Sequence, residues 1–277
     1  MLYFIPTPIG NLGDISLRSL ELLNVCRFVF CEDTRVCKHL IALLNERFQT
    51  SIKPYKILSL HSHNEKEVLE KLDLELFKDN VAYLSDAGMP GISDPGFALV
   101  QFALKHKLSY EVLPGANAAL VALVSSNLCE KEFIFLGFLA NKGKERQKDI
   151  ENLLSNPYPS VLYESPKRIL SLVQNIAKLE PEKELFAMKE ISKKFQTSFR
   201  GRAKNLAKEL ESVNLSGEWV LVVAKSLHNF AHNSLCEEDI LALDLPLKVK
   251  SKLLAKMSGK NSKELYQKLL LSQNEVK

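Results

Sequence analysis

The sequence predicts an α/β fold, with two α/β domains followed by a small helical tail. Three observations carry that prediction. Short β-like runs alternate with amphipathic helical stretches through the first half, the rhythm of βαβ units in a mostly parallel sheet. A second series of strand-like and helical runs follows, and after about residue 228 the strands stop. The 277 residues suffice for two domains of ordinary size. Expected bounds are 1–114 and 115–228 for the α/β domains and 229–277 for the tail.

In order, the first-half strands read Leu2–Ile5, Phe28–Cys31, Ile57–Leu60, Val81–Leu84 and Tyr110–Leu113. Helical patterns lie between them near Ser16–Val25, Thr34–Leu44, Asn64–Phe77 and Phe97–Lys107. The pattern breaks at "LPGAN", so the domain boundary is placed near 114–117. Beyond it Phe133–Phe138, Val161–Glu164, Leu185–Lys189 and Trp219–Val223 are strand-like. Helices near Ala116–Ser126, Lys144–Leu154, Pro166–Lys178 and Arg202–Ser212 separate them. "ESPKRIL" is a helix start, with Ser165 at the N-cap and Pro166 at the first helical position. In the tail, "SGKN" is a turn between Val249–Met257 and Ser262–Leu271, a helix-turn-helix-like pair.

Composition narrows the class. The chain is 46% hydrophobic and 25% charged, as in a soluble globular protein with a full core. No apolar run approaches the roughly 20 residues of a membrane span, and the N-terminus enters a strand with no basic region or cleavage site before it. A cytoplasmic protein is expected. The five cysteines form no CxxC pair, so free thiols are expected. The net charge of +4 is unevenly placed, because Leu245–Leu270 holds seven lysines against Glu264 alone. That excess suits a polyanionic partner; a solvated helical face explains it equally well.

Ligands of open α/β sheets collect at the carboxyl ends of the strands, and five such ends here carry unusual chemistry. They read "PTPIGN" (6–11), "EDTR" (32–35), "HSHNE" (61–65), "SDAGMPGISDPG" (85–96) and "PGAN" (114–117). There is no GxxxxGK[ST] and no GxGxxG after the first strand. Two prolines in "PTPIGN" remove backbone donors, which suits phosphate poorly. His61, His63, Asp33, Asp86 and Asp94 could supply metal ligands, yet an H-x-H pair on a strand end splits to opposite sides unless the chain turns, and Asp94 before Pro95 is a turn starter. An uncharged-to-cationic small molecule fits better. Gly88, Gly91 and Gly115 let main chain approach it, and carboxylates stand at the rim.

The ordered motifs "PTPIGNLGDIS", "CEDTR", "HSHNE", "YLSDAGMPGISDPG", "VLPGANAAL", "GFL" and "YESPKR" resemble the tetrapyrrole methylase superfamily, and within it the branch that methylates the 2′-oxygen of a cytidine in small-subunit ribosomal RNA. The likeness runs from residue 3 to about 225, and the basic tail is similar to that branch's C-terminal helix-turn-helix. It implies two α/β domains of the tetrapyrrole methylase type, S-adenosyl-L-methionine in the cleft between them, a homodimer, and a ribose substrate in the decoding region of 16S rRNA in the 30S subunit. Met89, Ala116-Asn117, Lys167, Lys189 and Gln196 depart from the expected motifs.

On that resemblance the cofactor residues are Pro8, Asp86, Ala87, Gly88, Ile92, Ser93, Asp94, Pro114, Gly115 and Ala116, with Phe138, Leu139 and Glu218 from the second domain. Catalytic candidates are His61, His63, Asp86 and Glu164, with Asp33 and Glu65 also weighed; none stands out as the base. Glu32 to Arg35 reads as a helix cap with a first-turn charge pair. RNA contacts are expected from Arg18, Arg35, Lys142, Lys144, Arg146, Lys167 and Arg168, and from Lys248, Lys250 and Lys252 in the tail. No metal is expected, since a sulfonium is already an activated leaving group. Two rival readings use the same residues: methylation of a small tetrapyrrole-like macrocycle, and an RNA-binding module without turnover.

Overall fold

The computed structural model of the protein describes residues 1–62, 64–92, 96–226 and 237–274. Residues 1–226 form one compact unit and 227–277 a second.

The first sheet has the order β3-β2-β4-β1-β5, with every neighbouring pair parallel. Its strands are β1 (Leu2–Ile5), β2 (Phe28–Cys31), β3 (Lys56–Ser59), β4 (Val81–Leu84) and β5 (Tyr110–Val112). Between them run α1 (Leu17–Val25), α2 (Thr34–Phe48), the short α3 (Glu65–Glu70) and α4 (Phe97–Lys105). Alternation in β1 and β4 splits the core in two. Leu2, Phe4, Val81 and Tyr83 pack with Leu99 and Ala103 of α4. Ile5, Ala82 and Leu84 face the other way, onto Leu20 and Leu23 of α1 and Ile41 and Leu44 of α2. A sheet covered on both faces needs apolar residues at every position, which is why these strands read as unbroken apolar runs. Each fully buried Leu or Phe contributes about 1.5–3 kcal/mol.

Ser16 caps α1 and Asp33 caps α2, each side chain accepting a first-turn N–H. Cys26, Cys31 and Cys37 are buried thiols and Cys129 is half-buried; burial pushes Cys26 up to about 12. The helix expected over Asn64–Phe77 breaks after Glu70. It resumes as a 3-10 turn at Leu74–Lys78, capped by Asp73.

The chain leaves the first sheet after Val112, and α5 (Ala118–Ser126) packs on the second sheet. That sheet has the order β6-β7-β10-β8-β9. It comprises β6 (Ile134–Phe138), β7 (Ser160–Glu164), β8 (Glu184–Lys189), β9 (Thr197–Arg202) and β10 (Trp219–Val223). Only β6 and β7 are parallel; the other pairs are antiparallel. Helices α6 (Gly143–Ser155), α7 (Ile169–Leu179) and α8 (Ala203–Leu210) cover one face and α5 the other. Strand β9 is unexpected, because "TSFRGR" buries only Phe199 and has no apolar alternation to announce it. The start at "ESPKRIL" is corrected: residues 166–168 form a turn and the helix begins at Ile169, with the Ser165 carbonyl accepting from Arg168 and Ile169.

In the second unit α9 (Glu237–Ala242), α10 (Leu247–Ser258) and α11 (Ser262–Asn274) follow one another. Gly259, in the left-handed region, ends α10 and turns the chain into α11, which packs against it.

Candidate functional site

The strand ends of the first sheet meet at one edge, and the first and fourth loops are tied there. Thr7 and Gly88 exchange both main-chain hydrogen bonds, at 3.0 and 3.1 Å. Ser85 Oγ donates to the Gly88 carbonyl at 2.9 Å, and Thr7 Oγ1 donates to the Ser85 carbonyl. Gly88 sits at φ 84°, a backbone conformation that favours glycine, and a Cβ there would also press on Ile9 at 3.2 Å.

A cavity of about 450 Å³ opens at this edge and takes its far wall from the second sheet. The first sheet supplies Ile9, Glu32, Asp86–Met89 and Ile92. Asn117 and Ala118 at the start of α5 form its side, Asn117 also capping that helix. The second sheet adds Phe138, Tyr163–Pro166, Ile191 and Gly217–Val220.

Four carboxylates line this cavity, and their environments differ. The Glu164 side chain is 0% exposed. Its Oε1 takes Nη2 of Arg168 at 2.7 Å and the Ser165 N–H at 2.8 Å, and its Oε2 takes Nη2 of Arg146 at 2.9 Å. Glu218 is paired with Lys193 at 2.9 Å, and Lys193 also holds Glu190. Glu32 and Asp86, at the ends of adjacent β2 and β4, have no cationic partner within ion-pair distance among the described residues. Glu32 Oε1 accepts the Asp86 N–H at 3.1 Å, and Asp86 Oδ1 accepts the Asp33 N–H at 3.3 Å. Burial pushes both above the ordinary carboxylate range, and the negative charges of Asp86 on Glu32 and of Asp33 on Asp86 add to it.

Of the expected cofactor residues, Asp86, Ala87, Gly88, Ile92, Phe138 and Glu218 line the cavity. Ser93, Asp94 and His63 lie outside the described residues. Pro8 precedes the lining residue Ile9 but is not itself on the wall. Pro114, Gly115 and Ala116 stand behind it: a Cβ on Gly115 would overlap the Pro6 ring, and the Ala116 carbonyl lies beside Gly88. Leu139 is a correction, since it is buried in the core of the second sheet beneath α6 and α7. His61, on the turn after β3, is off the wall and acts on Glu32 by its charge.

Two of the expected RNA contacts are corrected. Arg146 turns inward from α6, and Arg168 gives its guanidinium to Glu164, Ser165 and Asn141. The same clamp changes Glu164 from a candidate base into the anchor of this wall, because both of its oxygens are already engaged. Arg18 and Arg35 are exposed and paired with Glu111 and Asp33. Lys142, Lys144 and Lys167 are exposed, as are Lys248 and Lys252 in the tail; Lys250 donates to the Leu241 carbonyl.

Glu32 is the cavity residue that the sequence reading assigned elsewhere: Asp33 is the helix cap, and the residue before it turns into the cavity. Tyr163, Ser165 and Pro166 were signalled by "YESP", and Asn117 by "LPGAN". Ile191, Gly217 and Trp219 carried no local signal. At the motif departures, Gln196 Oε1 accepts the Ser192 N–H at 2.7 Å, and Lys189 Nζ donates to the Asn214 carbonyl at 2.5 Å. Among the described residues, no three His, Cys, Asp or Glu converge as a metal site, and no helix is long and apolar enough to cross a membrane.

Two α/β sheets with a cavity at the strand ends define the class, and comparison names it. Residues 1–207 match the family model described as Tetrapyrrole (Corrin/Porphyrin) Methylases, and the chain belongs to that family. The resemblance read from the motifs therefore holds. Among curated relatives, "Ribosomal RNA small subunit methyltransferase I" of Campylobacter fetus is 52% identical, over 98% of this chain and 100% of that protein. Its namesake in Helicobacter pylori strain J99 is 42% identical over 99% and 98%. Among solved structures, uroporphyrin-III C-methyltransferase from Thermus thermophilus, complexed with S-adenyl homocysteine, covers 80% of this chain and 96% of its own. The TM-score is 0.55 at 17% identity, a likeness of fold alone.

Proposed function

We propose that the protein uses S-adenosyl-L-methionine to methylate the 2′-oxygen of a cytidine ribose in the decoding region of 16S rRNA. The observation that carries this reading is the cavity itself. It combines a main-chain wall at Gly88, apolar surfaces from Phe138, Tyr163 and Trp219, and two carboxylates that have no ion-pair partner among the described residues. Such a set fits a nucleoside that bears a cation, and the names of the full-length relatives add RNA as the substrate.

S-adenosyl-L-methionine supplies an already activated methyl group, so the protein's task is to place a ribose hydroxyl in line and take its proton. Ile9, Ala87, Gly88 and Asn117 would hold the cofactor against the first sheet, and Phe138 and Trp219 would cover it from the second. Asp86 is assigned as the proton acceptor: it stands at the more open side of the cavity, keeps an oxygen free of hydrogen bonds among the described residues, and is shifted above the ordinary carboxylate range, as Glu32 is too. Lys142, Lys144 and Lys167 at the second-sheet rim, with the lysine-rich α10, are assigned to the RNA backbone. The protein is read as a cytoplasmic homodimer, with the apolar exposed positions of α5, Val124 foremost at 82%, as a candidate contact between copies.

The deciding experiment is transfer of labelled methyl from S-adenosyl-L-methionine to isolated 30S subunits, followed by mapping of the modified nucleotide. Label on a cytidine 2′-oxygen is expected, and no incorporation into RNA overturns the reading.

A further inference from the structure

Within the cavity the distribution of charge is lopsided. On the second-sheet wall each carboxylate has a cation beside it: Glu164 is clamped by Arg146 and Arg168, and Glu218, mostly in solvent, shares Lys193 with Glu190. On the first-sheet wall Glu32 and Asp86 face the cavity together, and no lysine or arginine lines it among the described residues. Glu32 is the more enclosed of the two. The Asp86 N–H fixes its Oε1 in place, and its Oε2 has no hydrogen bond among the described residues. Desolvation at this edge disfavours the charged form of both groups, a penalty that an occupant of opposite charge relieves.

We infer that Glu32 is a specificity-determining residue, one that makes the cavity prefer a positively charged occupant over a neutral one of the same shape. The inference rests on the cofactor reading above and extends it. In methyl transfer the carbon leaves sulfur for the ribose oxygen, the hydroxyl proton passes to the acceptor assigned above, Asp86, and sulfur keeps the bonding pair and becomes neutral. The occupant therefore loses the charge that Glu32 favours, and its hold weakens at the moment it must depart. The same preference works in the opposite sense before transfer, since the spent nucleoside competes less well for an empty cavity. Glu164 has no such effect, because its charge is already answered within the wall by two guanidiniums.

Equilibrium binding tests this without turnover. The probes are S-adenosylhomocysteine, with a neutral thioether, and sinefungin, which carries an ammonium in the corresponding place. Calorimetry at low salt and slightly alkaline pH compares wild type, Glu32→Gln and Glu32→Asp. Glutamine keeps the acceptor for the Asp86 N–H, so the loop is retained; near-ultraviolet circular dichroism checks this. In Glu32→Gln the ratio of the two dissociation constants should move by about tenfold against sinefungin, the order expected for one screened charge pair. Affinity for S-adenosylhomocysteine should hold, and Glu32→Asp should keep most of the preference. Equal losses for both probes, or an unchanged ratio, overturn the role given to Glu32. A wild-type protein that binds neither probe overturns the cofactor reading, and the inference falls with it.

Discussion

The two walls of the cavity use the same residue type to opposite ends. On the second-sheet wall Glu164 is enclosed by two guanidiniums and a main-chain N–H, and it ties the 140–141 loop to the turn after β7: Arg146 also donates to the Ala140 carbonyl at 3.0 Å, and Arg168 to Asn141. On the first-sheet wall, among the described residues, Glu32 accepts the Asp86 N–H and Asp86 the Asp33 N–H, and neither carboxylate has an ion-pair partner. A carboxylate whose charge is answered from within the protein is part of the frame, whereas one left with a free oxygen toward a cavity is part of the site. Position along the chain does not separate them, since Glu32 and Glu164 stand at or just past the ends of parallel strands. The cations around them do.

Substitutions that break this contrast should rank accordingly. Glu164→Leu should have the largest effect, because it leaves Arg146 and Arg168 facing one another without an anion. Breaking a buried pair costs about 3–5 kcal/mol, read as a lower urea midpoint; a loss under about 1 kcal/mol would remove Glu164 from the frame. Gly88→Ala should follow, at about 1–2 kcal/mol from the left-handed backbone and the approach to Ile9, with a further loss of nucleoside affinity in calorimetry. Asn117→Ala removes the cap of α5 and should cost about 1 kcal/mol in thermal unfolding.

Glu32→Gln should be the mildest, with a melting temperature unchanged or raised at neutral pH. Here the sign of the pH dependence is fixed by burial. A carboxyl whose folded-state value is raised favours the fold while protonated, and that benefit is lost as pH rises through the raised value. The advantage of the variant should therefore be present at neutral pH and vanish in acid, where both side chains are uncharged. Asp33, Asp86 and His61 are the charged groups that act on this pair. Melting curves for both proteins across the acid range check it.

Much of this was legible in the sequence, for physical reasons that also mark where it stopped. Strands β1, β2, β4 and β10 have the expected bounds because each is buried on both faces and reads as a bounded apolar run. Strand β9 was not legible, since it lies at a sheet edge with its side chains mostly in solvent. The loops at the strand ends were visible through their prolines, glycines and carboxylates. The roles within them were less so: Arg146 sits in the first turn of a polar helix, and nothing local says that it bends inward to a glutamate eighteen positions later. Glu32 and Asp33 are adjacent and chemically alike, and only the direction of the chain leaving β2 makes one a cap and the other a cavity wall.

The loop between β8 and β9 carries one more consequence. It passes over "PTPIGN" with Glu190 and Ser192 in the left-handed region and Ser192 bonded to Asp14. A Cβ on Gly10 would overlap the Lys193 side chain and come within 2.9 Å of the Ile191 carbonyl. Positions 10 and 193 thus share one volume although they lie far apart along the chain. In the descent of this family they should change as a pair, so that a bulkier residue at the first is met by a smaller one, or by a displaced loop, at the second.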